Sequence, residues 1–542
     1  MSSENEPSTE ISTSEYERQR LENREAVRAL GLDPYGGRRD DLMPLAQAWA
    51  AYDEASDKAH QESVAAQKAT KKDNPDISAA DLPALVDDRP RVSVAGRVKL
   101  HRDGGKLIWM NLRDDTRESF QIAVSKKDCD EQGFGVAKKT DLGDIIIAEG
   151  PLMKTMKGEV TLWASSVRPA SKSLVVPPAK HEGLADIELR YRQRYIDLWA
   201  TPQTMRTFQL RSKIVAAVRK HLESEGFVEV ETPMLQVQAG GAAARPFETH
   251  MNALDIPLYM RIAPELYLKR LLVGGMPRVF EINRNFRNEG LDKQHNPEFT
   301  MVELYQAFGD YHTVMGITEG IVRAAATLAC RERAGEDGVD AEGLFVPWGD
   351  ISIDFGSPFE RVTYAELFER VLGFPTSDIE RARSEAESRG IKLVNESGER
   401  LDDLFVINEL FEDVAEPTLD PGKPTWIMDY PSALSPLTRP KPSDLSIAER
   451  ADLFVGGMEI GPHYTELNDP DVQESKFRGQ LAGIDDEEST FRTFDADFVR
   501  ALKVGMPPAG GMGLGIDRLT MVLTNQQTIR DVILFPMMRP EA

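Results

Sequence analysis

The stretch Met276–Phe308, MPRVFEINRNFRNEGLDKQHNPEFTMVELYQAF, is two extended segments joined by a polar loop from Gly290 to Asn296, which is a hairpin signal. In a strand, alternate side chains share a face. On that parity Glu281, Asn283, Asn285, Arg287 and Glu289 line one side of the first arm. Phe299, Glu303 and Tyr305 line one side of the second arm, while Val302 and Leu304 take the other. One face is apolar enough to bury, and the opposite face carries a guanidinium, carboxylates and rings. Such a surface is either a solvated hairpin with ion pairs or a nucleotide site. In the second reading Arg287 offers a planar fork to phosphate or carboxylate oxygens. Phe299 would then stack on a purine, with Glu289 or the His295 region at an adenine edge.

Working outward, FQLRSKIVAAVRKHLESEG places Phe208, Ile214, Val218 and Leu222 near helical spacing, with Gly226 ending the helix and FVEVETPML following as a strand. The Gly/Ala loop QAGGAAARPFETH comes next, where Gly240 and Gly241 would let a small substrate approach the backbone. IAPELYLKRLL is a helix with Pro264 at its start. Glu265 falls in its first turn, a place where a carboxylate also complements the helix dipole. Beyond the hairpin, Asp310 to Val414 reads mostly as helices with a polar break near Arg331–Glu342. DLFVGGMEIGPHYTELND suggests two strands around a Gly461-Pro462 turn, with Glu459 and Glu466 seven residues apart. These carboxylates are surface charges or are held by a cation, and Mg²⁺ typically takes one or two carboxylates together with substrate phosphates. GGMGLGIDRLTMVLTNQQTIRDVILFP sets Gly511, Gly513 and Gly515 before Arg518, which opens a helix. Neither a Walker-type GKS/T loop nor a HIGH or KMSKS string is present.

Toward the N-terminus, residues 1–15 are polar and expected to be disordered. Tyr16–Leu30 suits an amphipathic helix ended by Gly31, and a second helix runs from about Asp53 to Lys72. Between Val92 and Pro169, VSVAGRV, KLIWMNL, SFQIAV, DIIIAEG and EVTLWA are five strand candidates, the signature of a small barrel of OB type. A Pro-marked linker starts at Ser173. With 542 residues and 41% hydrophobic content the chain has room for two or three domains. No apolar run approaches a bilayer span, and the acidic Ser/Thr-rich start reads as neither signal nor transit peptide. Cys129 and Cys330 are the only cysteines, so no disulfide framework or thiolate metal site is expected, and the setting is cytoplasmic. The net charge of -24 disfavours nonspecific duplex binding. Recognition through splayed, stacked bases suffers less from it.

FRNEG followed by HNPEFT resembles motif 2 of the class II aminoacyl-tRNA synthetases, and the full wording is similar to that of bacterial-type lysyl-tRNA synthetases. The helix and strand from Gln209 resemble motif 1, and the glycine run with Arg518 and RDVILFP resembles motif 3. The resemblance covers roughly residues 85–540. It implies an α+β protein: a five-stranded OB-fold anticodon-binding domain at 85–172, then a class II catalytic domain at 201–542 on an antiparallel sheet with flanking helices. A helical extension at 16–84, a linker at 173–200 and a helical insertion at about 310–425 complete the expectation. The activity implied is attachment of L-lysine to tRNA(Lys) through a lysyl-adenylate made from ATP with Mg²⁺, in a homodimer joined through motif 1.

By the same resemblance Arg287 and Arg518 are catalytic. ATP is held by Arg287, Glu289, His295, Asn296, Phe299, Glu459, Gly513, Gly515 and Arg518. Lysine is held by Gly241, Glu265, Arg287, Glu303, Tyr305, Tyr464 and Glu466, and the metal by Glu459 and Glu466. In the barrel Trp109 would stack an anticodon base while Gln121 and Glu159, the latter in GELxI-like wording, read its edge; the alternative for Trp109 is core filling. EIGPHYTEL departs from the family's EIGNGFSEL-like string: Pro462 stands for an asparagine and Tyr464 for a phenylalanine, and elsewhere Gly510 stands where alanine is frequent. Pro462 offers neither amide nor N–H, which bears on the choice of amino acid. A lysyl-transfer paralogue acting on a protein and a noncatalytic RNA-binding homologue are the alternatives. The OB-like segment speaks against the first, and retention of Arg287, Glu459, Glu466 and Arg518 against the second.

Overall fold

The structure, a computed structural model, describes residues 15–542 apart from 79, 176–183, 185, 243, 335–342, 392, 395–399, 483–493 and 542. The expected disordered tail therefore lies almost wholly outside the described residues. The chain folds as two compact units, residues 1–205 and 206–542.

In the first unit the two expected helices are present as Glu15–Ala29 and Glu54–Asp73. Asp53 caps the second by accepting the N–H groups of Ala55 and Ser56. A short helix, Leu45–Ala50, was not foreseen. Six strands follow: Arg91–Asp103, Leu107–Arg113, Phe120–Ser125, Ile145–Lys154, Val160–Trp163 and Ser166–Ser171. Taken in that order they lie 1-2-3-5-4-6 in the sheet, and the first also pairs with the fourth, which closes the barrel. The first five match the five expected segments; Ser166–Ser171 adds a sixth along Ile145–Lys154. Strand alternation turns Val94, Ile108, Met110, Phe120, Ile122 and Leu162 into the barrel core. The helix Glu131–Lys139, capped by Asp130, lies between the third and fourth strands.

The second unit is built on an eight-stranded sheet. Across it lie Glu360–Thr363, Thr425–Met428, Arg450–Val455, Met458–Thr465, Ala509–Gly515, Glu298–Ala307, Arg278–Phe286 and Val228–Glu229. All neighbours are antiparallel except the two outermost pairs. One face is covered by Ile214, Val218 and Leu222 of the helix Pro202–Ser224 and by the helix Tyr311–Ala334, in a single apolar core. The motif 1 helix thus buries this stripe inside its own unit.

Several expectations shift. FVEVETPML yields only the two-residue strands Val228–Glu229 and Leu235–Gln236. Gly461-Pro462 is not a turn: it lies inside the strand Met458–Thr465, and the turn falls at Gly456-Gly457, both at positive φ. Within 310–425, the helix Tyr311–Ala334 belongs to the central core. Three short strands, Phe345–Trp348, Ile351–Asp354 and Glu360–Thr363, break the helical expectation. The helical satellite is smaller, a cluster of Tyr364, Phe368, Ala382, Ile407 and Phe411 with its own core. The expected break near 331–342 lies mostly outside the described residues. Among those described, Tyr311–Ala334 is long and apolar enough by length and composition to cross a bilayer, contrary to expectation, yet half of its apolar window is buried in the protein.

Candidate active site

The hairpin register sets Glu281 opposite Glu303, Asn283 opposite Met301 and Asn285 opposite Phe299. Directly opposed residues of an antiparallel pair point to the same side. The polar face is therefore continuous, while Phe280, Val302 and Leu304 are fully buried behind it. The Arg287 N–H donates to Pro297 O at 2.8 Å, just past the last strand pair. Its guanidinium lies 5.1 Å from the centre of the Phe299 ring, and its Nε has no hydrogen-bond partner. Burial lowers the Arg287 pKa against the pull of Glu289, Glu303 and Glu459. A half-buried cation with a free donor, ringed by acids, is ready for an anion.

Arg518 enters from the helix Ile516–Thr524. It donates to the Glu459 carbonyl at 2.6 Å and to His295 Nε2 at 3.0 Å. With Nε2 accepting, Nδ1 carries the proton and donates to Asp292 Oδ2 at 2.7 Å. Asp517 anchors the same helix to the hairpin by accepting the Thr300 N–H at 2.6 Å and pairing with Arg211 at 2.6 Å. All nine residues named for the nucleotide line one cleft of about 730 Å³, partly open to solvent, with Pro462 in its wall.

Beside the cleft is a group of buried acidic side chains. Glu265 opens the helix Glu265–Val273, and Gly241 (φ +88) approaches it so closely that a Cβ there would stand 3.1 Å from the Glu265 Cβ. The Tyr305 hydroxyl donates to Glu303 Oε2 at 3.2 Å. Burial, then the Glu265 charge, pushes the Glu303 carboxyl well above its ordinary range. The Glu466 N–H donates to Ala509 O at 2.8 Å, while its carboxylate meets Lys269 Nζ at 2.5 Å. The sequence reading missed Lys269, which also pairs with Glu265 at 2.6 Å. Tyr464 faces Arg450, whose guanidinium lies 5.9 Å from the ring centre.

Glu459 and Glu466, the carboxylates expected to share a metal, turn to different partners. Seven residues is an odd spacing, which in a regular strand would put Glu459 and Glu466 on opposite faces. The register slips at Ile460, between the pairs Leu453↔Gly461 and Phe454↔Glu459. Such a bulge re-aims the side chains beyond it. The extra residue returns Glu459 and Glu466 to one face of the strand, where Glu466 pairs with Lys269. The carboxylate acting most on Glu459 is Asp452, buried and held by Arg450 at 2.6 and 3.0 Å. Burial, then Asp452, raises Glu459 above its usual range. Finding Asp452 would have required the strand register.

In the first unit Trp109 points out of the barrel, since its neighbours Ile108 and Met110 are the buried ones. It therefore does not fill the core. It meets Trp163 edge-on at 6.1 Å. Gln121 Oε1 accepts from the Thr161 hydroxyl at 2.8 Å. Trp109, Gln121 and Glu159 line one groove, whose other wall includes Tyr52 and Lys58.

Residues 186–539 match the family described as tRNA synthetases class II (D, K and N), and residues 92–170 match the OB-fold nucleic acid binding domain. Fold and site together define a class II tRNA synthetase. The chain is 47% identical over 467 residues to the lysine--tRNA ligase of Methylobacillus flagellatus, covering 85% of this chain and 88% of that one. It is 46% identical over 460 residues to that of Pseudomonas aeruginosa strain LESB58, at 83% and 86% coverage. For Bordetella bronchiseptica the identity is 45% over 482 residues, at 86% and 92% coverage. The chain belongs to the lysine--tRNA ligase family.

Proposed function

We propose that the protein joins L-lysine to tRNA(Lys) in two steps, lysine plus ATP giving lysyl-adenylate and pyrophosphate, then transfer of the lysyl group to the tRNA 3′ end. One observation carries this reading: next to Arg287 of the cleft, Glu265, Glu303 and Glu466 are buried as an acidic group, with Glu303 acting on Arg287 itself. An amino acid bringing two ammonium groups suits such a site, whereas an apolar side chain would leave buried charge unpaired.

Each side chain has a task the geometry supports. Arg287 bridges the substrate carboxylate and the α-phosphate, its free Nε available as a donor. Phe299 offers a ring face to adenine, with Glu289, His295 and Asn296 toward the base. Gly513 and Gly515 let the nucleotide approach the backbone, and Arg518 takes the leaving phosphates. Glu265 with the Gly241 backbone addresses the α-ammonium, and Glu466, Glu303, Tyr305 and Tyr464 the far end of the side chain. Little covalent chemistry falls to the protein, so positioning and electrostatics supply the acceleration.

Among the described residues no group of three or more His, Cys, Asp or Glu is placed to hold a metal unaided. Glu459 with Asp452 supplies hard oxygens beside the cleft, which fits a cation that completes its shell with phosphates and water. Bound there, Mg²⁺ would neutralise charge building on the leaving pyrophosphate. We assign the outward face of Trp109, with Gln121 and Glu159, to the anticodon. The exposed apolar residues Val228, Met234, Leu235 and Val237 go to a homodimer contact, and the setting is cytoplasmic.

The test is ATP–pyrophosphate exchange across a panel of amino acids, with and without Mg²⁺. Lysine alone should support rapid exchange. Arg287→Ala should lower it by a factor of about 10²–10³, as for loss of a donor to developing charge, while tRNA binding persists. Pure folded protein that exchanges with no amino acid would sink the reading.

A further inference from the structure

We propose that Lys269 is a positioning and specificity-determining residue of the amino-acid pocket, its buried ammonium clamping one oxygen of Glu265 and one of Glu466 so that the others face the substrate. The inference rests on the assignment of this pocket to lysine and adds a residue to it.

Lys269 Nζ lies 2.6 Å from Glu265 Oε1 and 2.5 Å from Glu466 Oε2, with a fully buried side chain. Glu265 is one helical turn away on the same helix, whereas Glu466 follows the strand Met458–Thr465. The ammonium therefore ties helix to sheet at the pocket itself. Burial alone would lower its pKa, yet the two carboxylates hold it above its ordinary value, so it stays charged. Each acid keeps one oxygen beyond the clamp. Glu466 Oε1 has no hydrogen-bond partner and Oε2 has only its ion pair with Lys269; Oε1 lies over Gly511, where a Cβ would come within 2.0 Å of it.

The charges bear on the same point. The Lys269 ammonium offsets part of the negative charge of the two carboxylates it clamps, and burial with Glu265 favours the protonated form of Glu303 until a cation enters. Lysine brings two ammonium groups, and its carboxylate is left to Arg287. A cation inside a cation-binding pocket is costly to substrate binding unless it organises the acids around it. Two carboxylates drawn together with no ammonium between them would repel and turn away. If Lys269 were only a strut, a well-packed apolar replacement would be neutral for binding, as buried ion pairs often are for stability.

The experiment compares Lys269→Met with the parent in pyrophosphate exchange, reading KM for lysine and for ATP and the melting temperature. We expect KM for lysine to rise tenfold or more while KM for ATP stays within twofold. An unchanged or lower KM for lysine in the folded variant, or an equal rise in both constants, overturns the proposal. A second comparison holds even if Lys269→Met alone does not fold. In a Glu466→Gln background half of the clamp is gone and Lys269 pairs only with Glu265, so adding Lys269→Met, which frees that carboxylate for the substrate, should lower KM for lysine. No change there, or a rise, also overturns it. A parent protein without lysine-dependent exchange would instead refute the functional assignment, leaving the two failures distinct.

Discussion

His463 stands next to Pro462 in the chain and on the opposite face of the strand. It is fully buried, 2.7 Å from the Thr318 hydroxyl through Nε2 and edge-on to Trp426 at 4.7 Å. Burial pushes its pKa from 6.5 down to about 3. Between those values the unfolded chain binds a proton that the folded chain refuses, so stability falls as pH drops through this window. The slope for one group is about 1.4 kcal/mol per pH unit. From pH 6.5 to 5 the loss owed to this side chain is about 2 kcal/mol. A calorimetric comparison should show the stability advantage of the parent over His463→Gln shrinking by that amount. A gap that stays constant across the window would mean that His463 protonates in place. This residue illustrates what a lone sequence conceals. Arg287 was legible because its neighbours in the chain form a long, ordered string. Lys269 and Asp452 were not, since their roles depend on residues roughly 200 and 7 positions away, brought close by register and helix docking that no local pattern reports.

Among elements, the hairpin was read with its correct faces because strict alternation survives through nine consecutive cross-strand pairs. Where alternation fails, reading failed too. The slip at Ile460 hid which residues share a face with Glu459, and a strand of two residues, such as Val228–Glu229, is too short to carry a period. The barrel strands were legible for the same reason as the hairpin, and alternation on Leu107–Arg113 also fixes the exposure of Trp109. Base–aromatic stacking is worth about 1–3 kcal/mol per base. Trp109→Ala should therefore weaken aminoacylation of tRNA about tenfold or more through KM for tRNA, with pyrophosphate exchange unchanged. Equal charging by parent and variant would remove Trp109 from the RNA surface.

For the whole molecule, an acidic chain with charge -24 resists indiscriminate self-association, so a specific apolar contact stands out. Val237 is 69% exposed and Val228 and Leu235 each 52%. If these residues form the dimer contact, light scattering after gel filtration should give twice the chain mass for the parent. Val237→Asp should shift it toward the monomer and lower exchange activity with it. A parent that runs as a monomer at micromolar concentration would refute the assignment. The central sheet has one more consequence, which concerns synthesis. Met301 pairs with Gly515, roughly two hundred residues further along the chain, and Arg518 follows that strand directly. A ribosome must therefore release everything through Arg518 before the cleft can close around a nucleotide. Such non-local pairing is slow to form. Its benefit is that an unfinished chain has no working site, and so cannot squander ATP or hold lysine in a half-made pocket.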